Sequence, residues 1–189
     1  VISCSNELLS ISKLLSFSKL FCTGCASSFS NSFKILLTIY SVILVNIINS
    51  TNLKGRCDLV NKRFLLDVSH NPASVLQLSR YIERNYKKDH KISAIFGVMQ
   101  DKDISGMVQS IKKYVSKWYA ASPDIERSLS SADLTNLLSE LVTEEVVPTK
   151  SIKEAINTAS QEPETELVLI FGSFHTISEA FRVIKELES

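Results

Sequence analysis

Short apolar runs alternate with amphipathic segments along the chain from residue 64 onward. The apolar runs predict five buried strands, at residues 64–68, 92–98, 118–121, 145–147 and 167–171. The segments that follow them repeat apolar side chains every three or four positions and predict helices at residues 72–86, 104–115, 132–141, 151–159 and 177–187. Because this alternation requires crossover connections, it predicts an α/β fold with an open, mostly parallel sheet and helices on both faces.

The turn after the first predicted strand carries Asp67, His70 and Asn71, and Pro72 follows them. Asparagine is a good helix N-cap and proline suits the first helical position, so this turn leads directly into a helix. It places an acid, an imidazole and an amide beside the positive end of a helix, where phosphate and carboxylate groups bind favourably. A purely structural capped turn has the same composition, and both interpretations remain open.

Two other predicted strands also end in polar or small residues. Asp101, Lys102 and Asp103 follow the second strand, and Gly172-Ser173 with His175 follows the fifth. Ligands bind outside the carboxyl ends of strands in open α/β sheets, so both turns are candidate binding sites. The structural alternatives are a solvated run of charges for the first turn and a tight turn with a serine cap for the second.

Composition narrows the possible functions. The 189 residues carry a net charge of +1 and show no basic stripe with interleaved aromatic side chains, which argues against a nucleic-acid partner. The sequence contains no GxxxxGKS, GxxxxGKT or GxGxxG phosphate-binding loop and no GxSxG elbow. A self-contained kinase, ATPase or hydrolase is therefore not expected.

The first 50 residues differ from the remainder, because 27 of them are Ser, Leu or Ile. Such a bias is typical of an AT-rich gene read out of frame, so we expect residues 1–52 to be a low-complexity extension, frameshifted or otherwise non-native, in front of a domain at residues 53–189. The apolar run 35–48 has 14 residues, short of the about 20 that a spanning helix needs. It predicts a buried helix or an artefact, and no membrane association is expected.

The four cysteines all lie in the first 57 residues, and Cys22 and Cys25 have CxxC spacing. A redox pair or a metal pair is one interpretation of that spacing. No second CxxC and no histidine pair completes a zinc site, so reduced thiols, a cytoplasmic location and no resident metal site are expected.

Five sequence blocks carry a resemblance to a known family. They are LKGR at 53–56, LLDVSHNP at 65–72, FGVMQDKDI at 96–104, ERSL at 126–129 and LIFGSFHT at 169–176. In this order they resemble the carboxy-terminal domain of bifunctional folylpolyglutamate synthase/dihydrofolate synthase, a relative of the Mur ligases. The resemblance covers about residues 53–188 and implies a Rossmann-like sheet of the Mur ligase C-terminal type. The family's amino-terminal ATPase domain, with the P-loop and the magnesium ligands, has no counterpart in the sequence.

The resemblance implies an ATP-dependent carboxylate-amine ligase. In such an enzyme the carboxylate of dihydropteroate or of a folate is phosphorylated, and the amine of L-glutamate then attacks the acyl phosphate. ATP and Mg²⁺ are the implied cofactors, with the Mg²⁺ ligands mainly in the domain that lacks a counterpart.

Site residues follow from the resemblance by position. Arg56, Asp67 and His70 would bind nucleotide, although the spacing from Arg56 to Asp67 is short for the family. His70 and Asn71 would take part in catalysis. The glutamate-binding residues implied are Asn71, Lys102, Ser173 and His175.

Two functions from different classes remain open at this stage. One is the C-terminal part of a glutamate ligase, inactive unless a P-loop domain is supplied, so that the chain alone gives no glutamate-dependent ATP hydrolysis with dihydropteroate. The other is a non-catalytic binding module or an inert gene remnant.

Overall fold

The structure is a computed structural model that describes residues 54–87 and 89–187. The chain divides into two units between Leu53 and Lys54. The extension predicted for residues 1–52, its CxxC pair and its apolar run at 35–48 therefore lie outside the described residues. Within the described part, no helix combines the length and the apolar character needed to cross a bilayer.

A six-stranded sheet forms the centre of the described unit. Its strands are β1 (Asp58–Val60), β2 (Phe64–Asp67), β3 (Ile92–Phe96), β4 (Val115–Ala121), β5 (Glu145–Thr149) and β6 (Leu167–Phe171). Their order across the sheet is β1-β2-β6-β3-β4-β5. Strand β1 pairs antiparallel with β2, and every other neighbouring pair is parallel.

Five α-helices cover the sheet on both faces. They are α1 (Pro72–Asn85), α2 (Ile104–Ile111), α3 (Ser131–Leu141), α4 (Ile152–Gln161) and α5 (Phe174–Glu186). Helices α1, α2 and α3 pack on one face through a core that contains Phe96, Trp118 and Phe171. Helices α4 and α5 pack on the other face, against Ile95 and Ile170. The predicted α/β sheet with helices on both faces is thus confirmed.

Several predicted boundaries were wrong, each for a local reason. Helix α2 ends at Ile111, and a 3₁₀ turn, Lys112–Tyr114, lets β4 begin at Val115. Strand β5 continues through Pro148, which is tolerated because β5 is an edge strand. Helix α5 begins at Phe174 because Ser173 caps it.

The sequence pattern missed β1 altogether. It forms a hairpin with β2 through a turn in which Asn61 and Lys62 have φ of 53° and 57° and the Arg63 N–H donates to the Val60 carbonyl at 3.2 Å. Two central residues in the left-handed conformation define a type I′ turn, for which Asn-Gly is the usual sequence. Lysine stands at the second central position here, so the sequence lacks the Asn-Gly pair that would have predicted the hairpin.

Replacing Lys62 with glycine is expected to stabilise the fold by about 0.5–1 kcal/mol, because glycine adopts a left-handed conformation without steric cost. Urea unfolding followed by circular dichroism measures this change. Lys150→Gly is the matched control, since Lys150 is not among the residues with positive φ, and it should be neutral or destabilising. Equal effects at the two positions would contradict the turn assignment.

Candidate functional site at the carboxyl edge of the sheet

Strands β2, β6 and β3 are neighbours, so their carboxyl ends meet at one edge of the sheet, which we call the carboxyl edge. Backbone and side-chain hydrogen bonds join these ends. The Gly97 N–H donates to the Phe171 carbonyl at 3.2 Å, and the Thr176 hydroxyl donates to the Gly97 carbonyl at 2.7 Å. The start of α5 is therefore fastened to the end of β3 as well as to its own strand.

Three helices begin at the carboxyl edge, capped by Asn71, Asp103 and Ser173. The starts of α1 and α2 lie side by side, since a Cβ on Gly106 would approach the Pro72 Cγ to 2.7 Å. Helix N-termini present free N–H groups and partial positive charge. Their convergence makes this edge attractive to anionic ligands.

The capping interpretations of the sequence are confirmed at two of these helices. The Ser74 N–H donates to Asn71 Oδ1 at 2.9 Å, and Pro72 occupies the first helical position. The Thr176 N–H donates to Ser173 Oγ at 3.0 Å, and Ser173 is buried. Two of the four predicted glutamate-binding side chains thus already cap a helix, which fixes their positions at the edge.

The Asp67 carboxylate is buried and faces the protein. Its Oδ2 accepts from the Cys57 N–H at 2.8 Å and from the Cys57 thiol at 3.4 Å. Its Oδ1 accepts from the Ser69 N–H at 2.8 Å and from the Ser69 hydroxyl. This carboxylate therefore joins the turn before β1 to the loop after β2.

Burial, reinforced by the negative charge of Asp67, raises the pKa of the Cys57 thiol to about 12. The thiol is consequently protonated at neutral pH and can donate to Asp67. The backbone of Cys57 is left-handed, with φ of 45°.

His70 is partly buried, and one hydrogen bond defines the tautomer of its ring. Its Nδ1 lies 3.0 Å from the Val68 carbonyl. Because a carbonyl oxygen can only accept, the proton resides on Nδ1, and Nε2 is the ring nitrogen left to bind another group. The imidazole also lies against Phe174, with ring centroids 6.0 Å apart.

Phe174 lies at the candidate site and was not predicted from the sequence. Its side chain is 62% exposed although it is aromatic, and it lies in the first turn of α5 beside His70. The available signal was an apolar residue directly after a serine cap in the FGSFHT block, at a position that belongs to no predicted core face.

Lys102 lies in a charged cluster after β3. Its Nζ is 2.6 Å from Asp101 Oδ2, and the Arg127 guanidinium is 3.9 Å from Asp101 Oδ1. The hydrogen bond from Lys102 holds the pKa of Asp101 below its usual value. The Leu129 N–H donates to the Val98 carbonyl at 3.0 Å and ties this loop to the one that carries Arg127.

Arg56 and His175 complete the residues predicted from the resemblance, and both are exposed. Arg56 is in the turn whose Gly55 carbonyl accepts from the Val68 N–H at 2.8 Å, so it lies beside the end of β2. His175 is in the first turn of α5. The structure thus brings all of the predicted site residues to the carboxyl edge, whereas their individual roles stay predictions.

The opposite edge of the sheet carries a cavity of about 440 Å³ lined by Lys91, Lys117, Glu145 and Glu162, among others. Its charges are paired internally, with Lys117 Nζ 2.6 Å from Glu162 and 3.1 Å from Glu145. A ligand would have to break these pairs. Among residues 54–87 and 89–187, no group of three or more His, Cys, Asp or Glu side chains is arranged to hold a metal ion.

Comparison with known proteins agrees with this architecture. Dihydrofolate synthase/folylpolyglutamate synthase of Buchnera aphidicola subsp. Schizaphis graminum is 32% identical over 156 residues, covering 78% of this chain and 36% of that protein. The Escherichia coli K12 protein of the same name is 30% identical over 140 residues, covering 72% of this chain and 32% of that protein. The chain spans about a third of the length of these curated relatives.

Solved structures show the same relationship. E. coli FolC in complex with DHPP and ADP superposes with a TM-score of 0.67 at 30% identity, covering 75% of this chain and 34% of that one. A bifunctional folylpolyglutamate synthase/dihydrofolate synthase with Mn, AMPPNP and L-glutamate bound gives a TM-score of 0.62 at 28% identity. The match covers 72% of this chain and 32% of that one.

The family model of the Mur ligase glutamate ligase domain matches residues 55–174, from the turn that carries Arg56 to the first residue of α5. That span includes β1 to β6 and the starts of all three helices at the carboxyl edge. The chain therefore belongs to the Mur ligase family, as its glutamate ligase domain.

Proposed function

We propose that residues 54–187 form the glutamate-adding part of an ATP-dependent ligase that joins L-glutamate to dihydropteroate, to folates or to both through an acyl phosphate. The observation that carries this proposal is the convergence of three helix N-termini with Arg56, His70 and Lys102 at the carboxyl edge. The relatives crystallised with ADP, DHPP, AMPPNP and L-glutamate support the choice of ligands.

The charges of the edge fit these anionic ligands. Arg56 offers an exposed guanidinium, which pairs well with phosphate oxygens. Lys102 offers an ammonium group for a substrate carboxylate, once the carboxylate competes with Asp101 for it. The helix N-termini add fixed positive potential at the same place.

The side chains at the edge would mainly orient the substrates. Holding the amine of glutamate in line with an activated carboxylate supplies much of the rate of such a reaction. In this proposal, Nε2 of His70 accepts a proton from the glutamate ammonium group, and the Asn71 cap fixes the imidazole's loop. Bound ATP would supply the phosphoryl group, and the resemblance implies that the Mg²⁺ ligands belong mainly to a P-loop domain, which has no counterpart in the sequence.

The isotope-labelled 189-residue chain, titrated with MgADP and separately with L-glutamate, is expected to show amide shift changes at the carboxyl edge. Arg56→Ala should weaken MgADP binding, and Lys102→Ala should weaken L-glutamate binding, each about tenfold through loss of a charge-assisted contact. The expected result includes no turnover of ATP with dihydropteroate and L-glutamate, because the 189 residues contain no P-loop.

Lys91→Ala is the matched control, since Lys91 pairs with Glu164 at the opposite edge. D-Glutamate serves as the control ligand. Equal shift changes at both edges, or equal responses to both glutamate enantiomers, would contradict the proposed site. A chain that gives no shift changes would instead fit an inert remnant.

A further inference from the structure

We propose that Phe174 is a positioning residue: its side chain holds the His70 imidazole in the orientation and tautomer that leave Nε2 free to bind the glutamate ammonium group. The Phe174 ring thus acts on bound L-glutamate through His70. The inference deepens the proposed function and rests on it for the identity of the ligand. The resemblance to the family assigns no role to this ring.

The backbone of His70 is fixed, whereas its ring keeps some freedom. The His70 N–H donates to the Ser74 hydroxyl at 3.3 Å, within the first turn of α1. The ring donates from Nδ1 to the Val68 carbonyl at 3.0 Å. That bond fixes one point of the ring, but the torsion that turns the ring plane of a histidine is broad. A ring that swings away from the carbonyl can also carry its proton on either nitrogen.

The Phe174 ring supplies a second contact. Its centroid lies 6.0 Å from the centroid of the His70 imidazole, and the two ring planes are inclined by 42°. Paired aromatic rings attract each other at centroid separations of about 4.5–7 Å. Swinging the imidazole away from the Val68 carbonyl would therefore lose this ring pair as well as the hydrogen bond, so the two contacts reinforce each other.

The backbone of Phe174 is anchored independently of its side chain. The buried Ser173 caps α5, and the Thr176 N–H donates to Ser173 Oγ at 3.0 Å. The Thr176 hydroxyl donates to the Gly97 carbonyl at 2.7 Å. Because these bonds do not involve the phenyl ring, a substitution at position 174 changes the contact with His70 and leaves the start of α5 in place.

The Phe174 side chain contributes little to the core. It is 62% exposed, more than any other large apolar side chain in the described part of the chain, where Leu187 follows at 56%. A ring this exposed gains little from hydrophobic burial. Stability of the fold therefore does not account for phenylalanine at this position, and its contact with His70 gives the ring a role at the site.

The experiment compares Phe174→Ala, which removes the ring, with Phe174→Tyr, which keeps it, in the isotope-labelled 189-residue chain. Leu187→Ala is the matched control, since it removes a similarly exposed side chain from the other end of α5. One readout is the pair of nitrogen chemical shifts of the His70 ring at about pH 8.5, where an ordinary imidazole is neutral. His70→Gln identifies these signals among the three histidines. The other readout is L-glutamate affinity by NMR titration.

In the wild-type chain and in Phe174→Tyr we expect a protonated Nδ1 and an unprotonated Nε2. In Phe174→Ala the two nitrogen shifts should approach each other, because the released ring exchanges between tautomers. L-Glutamate affinity should fall about twofold to tenfold, the range that one aromatic pair contributes. Leu187→Ala should leave both readouts unchanged. Adding Phe174→Ala to His70→Ala should not change L-glutamate affinity, since no imidazole remains to be positioned.

A further loss of L-glutamate affinity in the His70→Ala background would overturn the inference and show that the Phe174 ring contacts the ligand directly. Unchanged nitrogen shifts in Phe174→Ala would overturn it as well. Converging shifts with undiminished L-glutamate affinity would equally contradict it, because the ring would then position nothing that the ligand uses. If the wild-type chain does not bind L-glutamate, the proposed function fails, whereas the nitrogen shifts still decide whether Phe174 holds the imidazole.

Discussion

Replacing Gly172 with alanine is expected to destabilise the domain by about 3–5 kcal/mol, among the largest effects of a single methyl group. Gly172 joins β6 to the cap of α5 with φ of 121°, a conformation that side chains with a Cβ rarely adopt. An added Cβ would lie 2.4 Å from the Gly97 carbonyl oxygen. Because that oxygen belongs to the backbone of the residue directly after β3, the strand ends would have to separate.

Gly97→Ala is the matched comparison for this prediction. Its added Cβ would lie 2.8 Å from the Thr176 hydroxyl and 3.0 Å from the Ala121 carbonyl oxygen, and Gly97 has no positive φ. Its cost should therefore be clearly smaller. Urea unfolding of both variants measures the difference, and a Gly172→Ala variant as stable as Gly97→Ala would show that the β6–α5 junction is not strained by a side chain.

The same junction links stability to the site. The added Cβ at position 172 would clash with the Gly97 carbonyl oxygen, which also accepts the hydrogen bond from the Thr176 hydroxyl. The Thr176 N–H in turn donates to Ser173 Oγ. Displacing the Gly97 carbonyl would disturb the start of α5, including Phe174 and its contact with His70. We therefore expect Gly172→Ala to lose L-glutamate binding in the fraction of molecules that remain folded.

Periodicity was sufficient to predict the parallel strands and their helices, because burial on both faces imposes nearly continuous apolar runs on β3 and β6. That the predicted site residues would lie at one edge also followed from sequence, since strand ends in an open parallel sheet share one edge. Asn71 and Ser173 could be predicted as caps for the same local reason: their oxygens satisfy N–H groups only three residues away.

Long-range features could not be predicted from these patterns. Strand β6, last in the chain, inserts between β2 and β3, and this order alone brings Ser173 between Asp67 and Lys102. The hydrogen bonds of Asp67 involve Cys57, ten residues earlier, which precedes a hairpin whose turn lacks the usual glycine. Exposure of Phe174 is likewise set by tertiary packing, which its residue type does not reveal.

The second large effect is expected in the core beneath the site. Trp118 is fully buried on β4, and its ring lies 6.1 Å from Phe96 and 6.3 Å from Phe171, which stack on each other at 4.7 Å. Trp118→Ala should cost about 3–5 kcal/mol, because the cavity left under two strands that end at the carboxyl edge cannot collapse without moving them. Unfolding is best followed by far-ultraviolet circular dichroism, since the variant removes the single tryptophan.

Comparing Trp118→Phe with Trp118→Ala separates the contribution of ring packing to stability from that of the indole N–H. Among the described residues, the buried Nε1 has no hydrogen-bond partner, so its removal relieves an unsatisfied donor whose burial costs about 1–3 kcal/mol. That gain offsets part of the lost volume, and the phenylalanine variant should lose less than about 2 kcal/mol. If it is instead as unstable as Trp118→Ala, the indole N–H has a partner in solution, and the aromatic cluster owes its stability to that hydrogen bond as well as to packing.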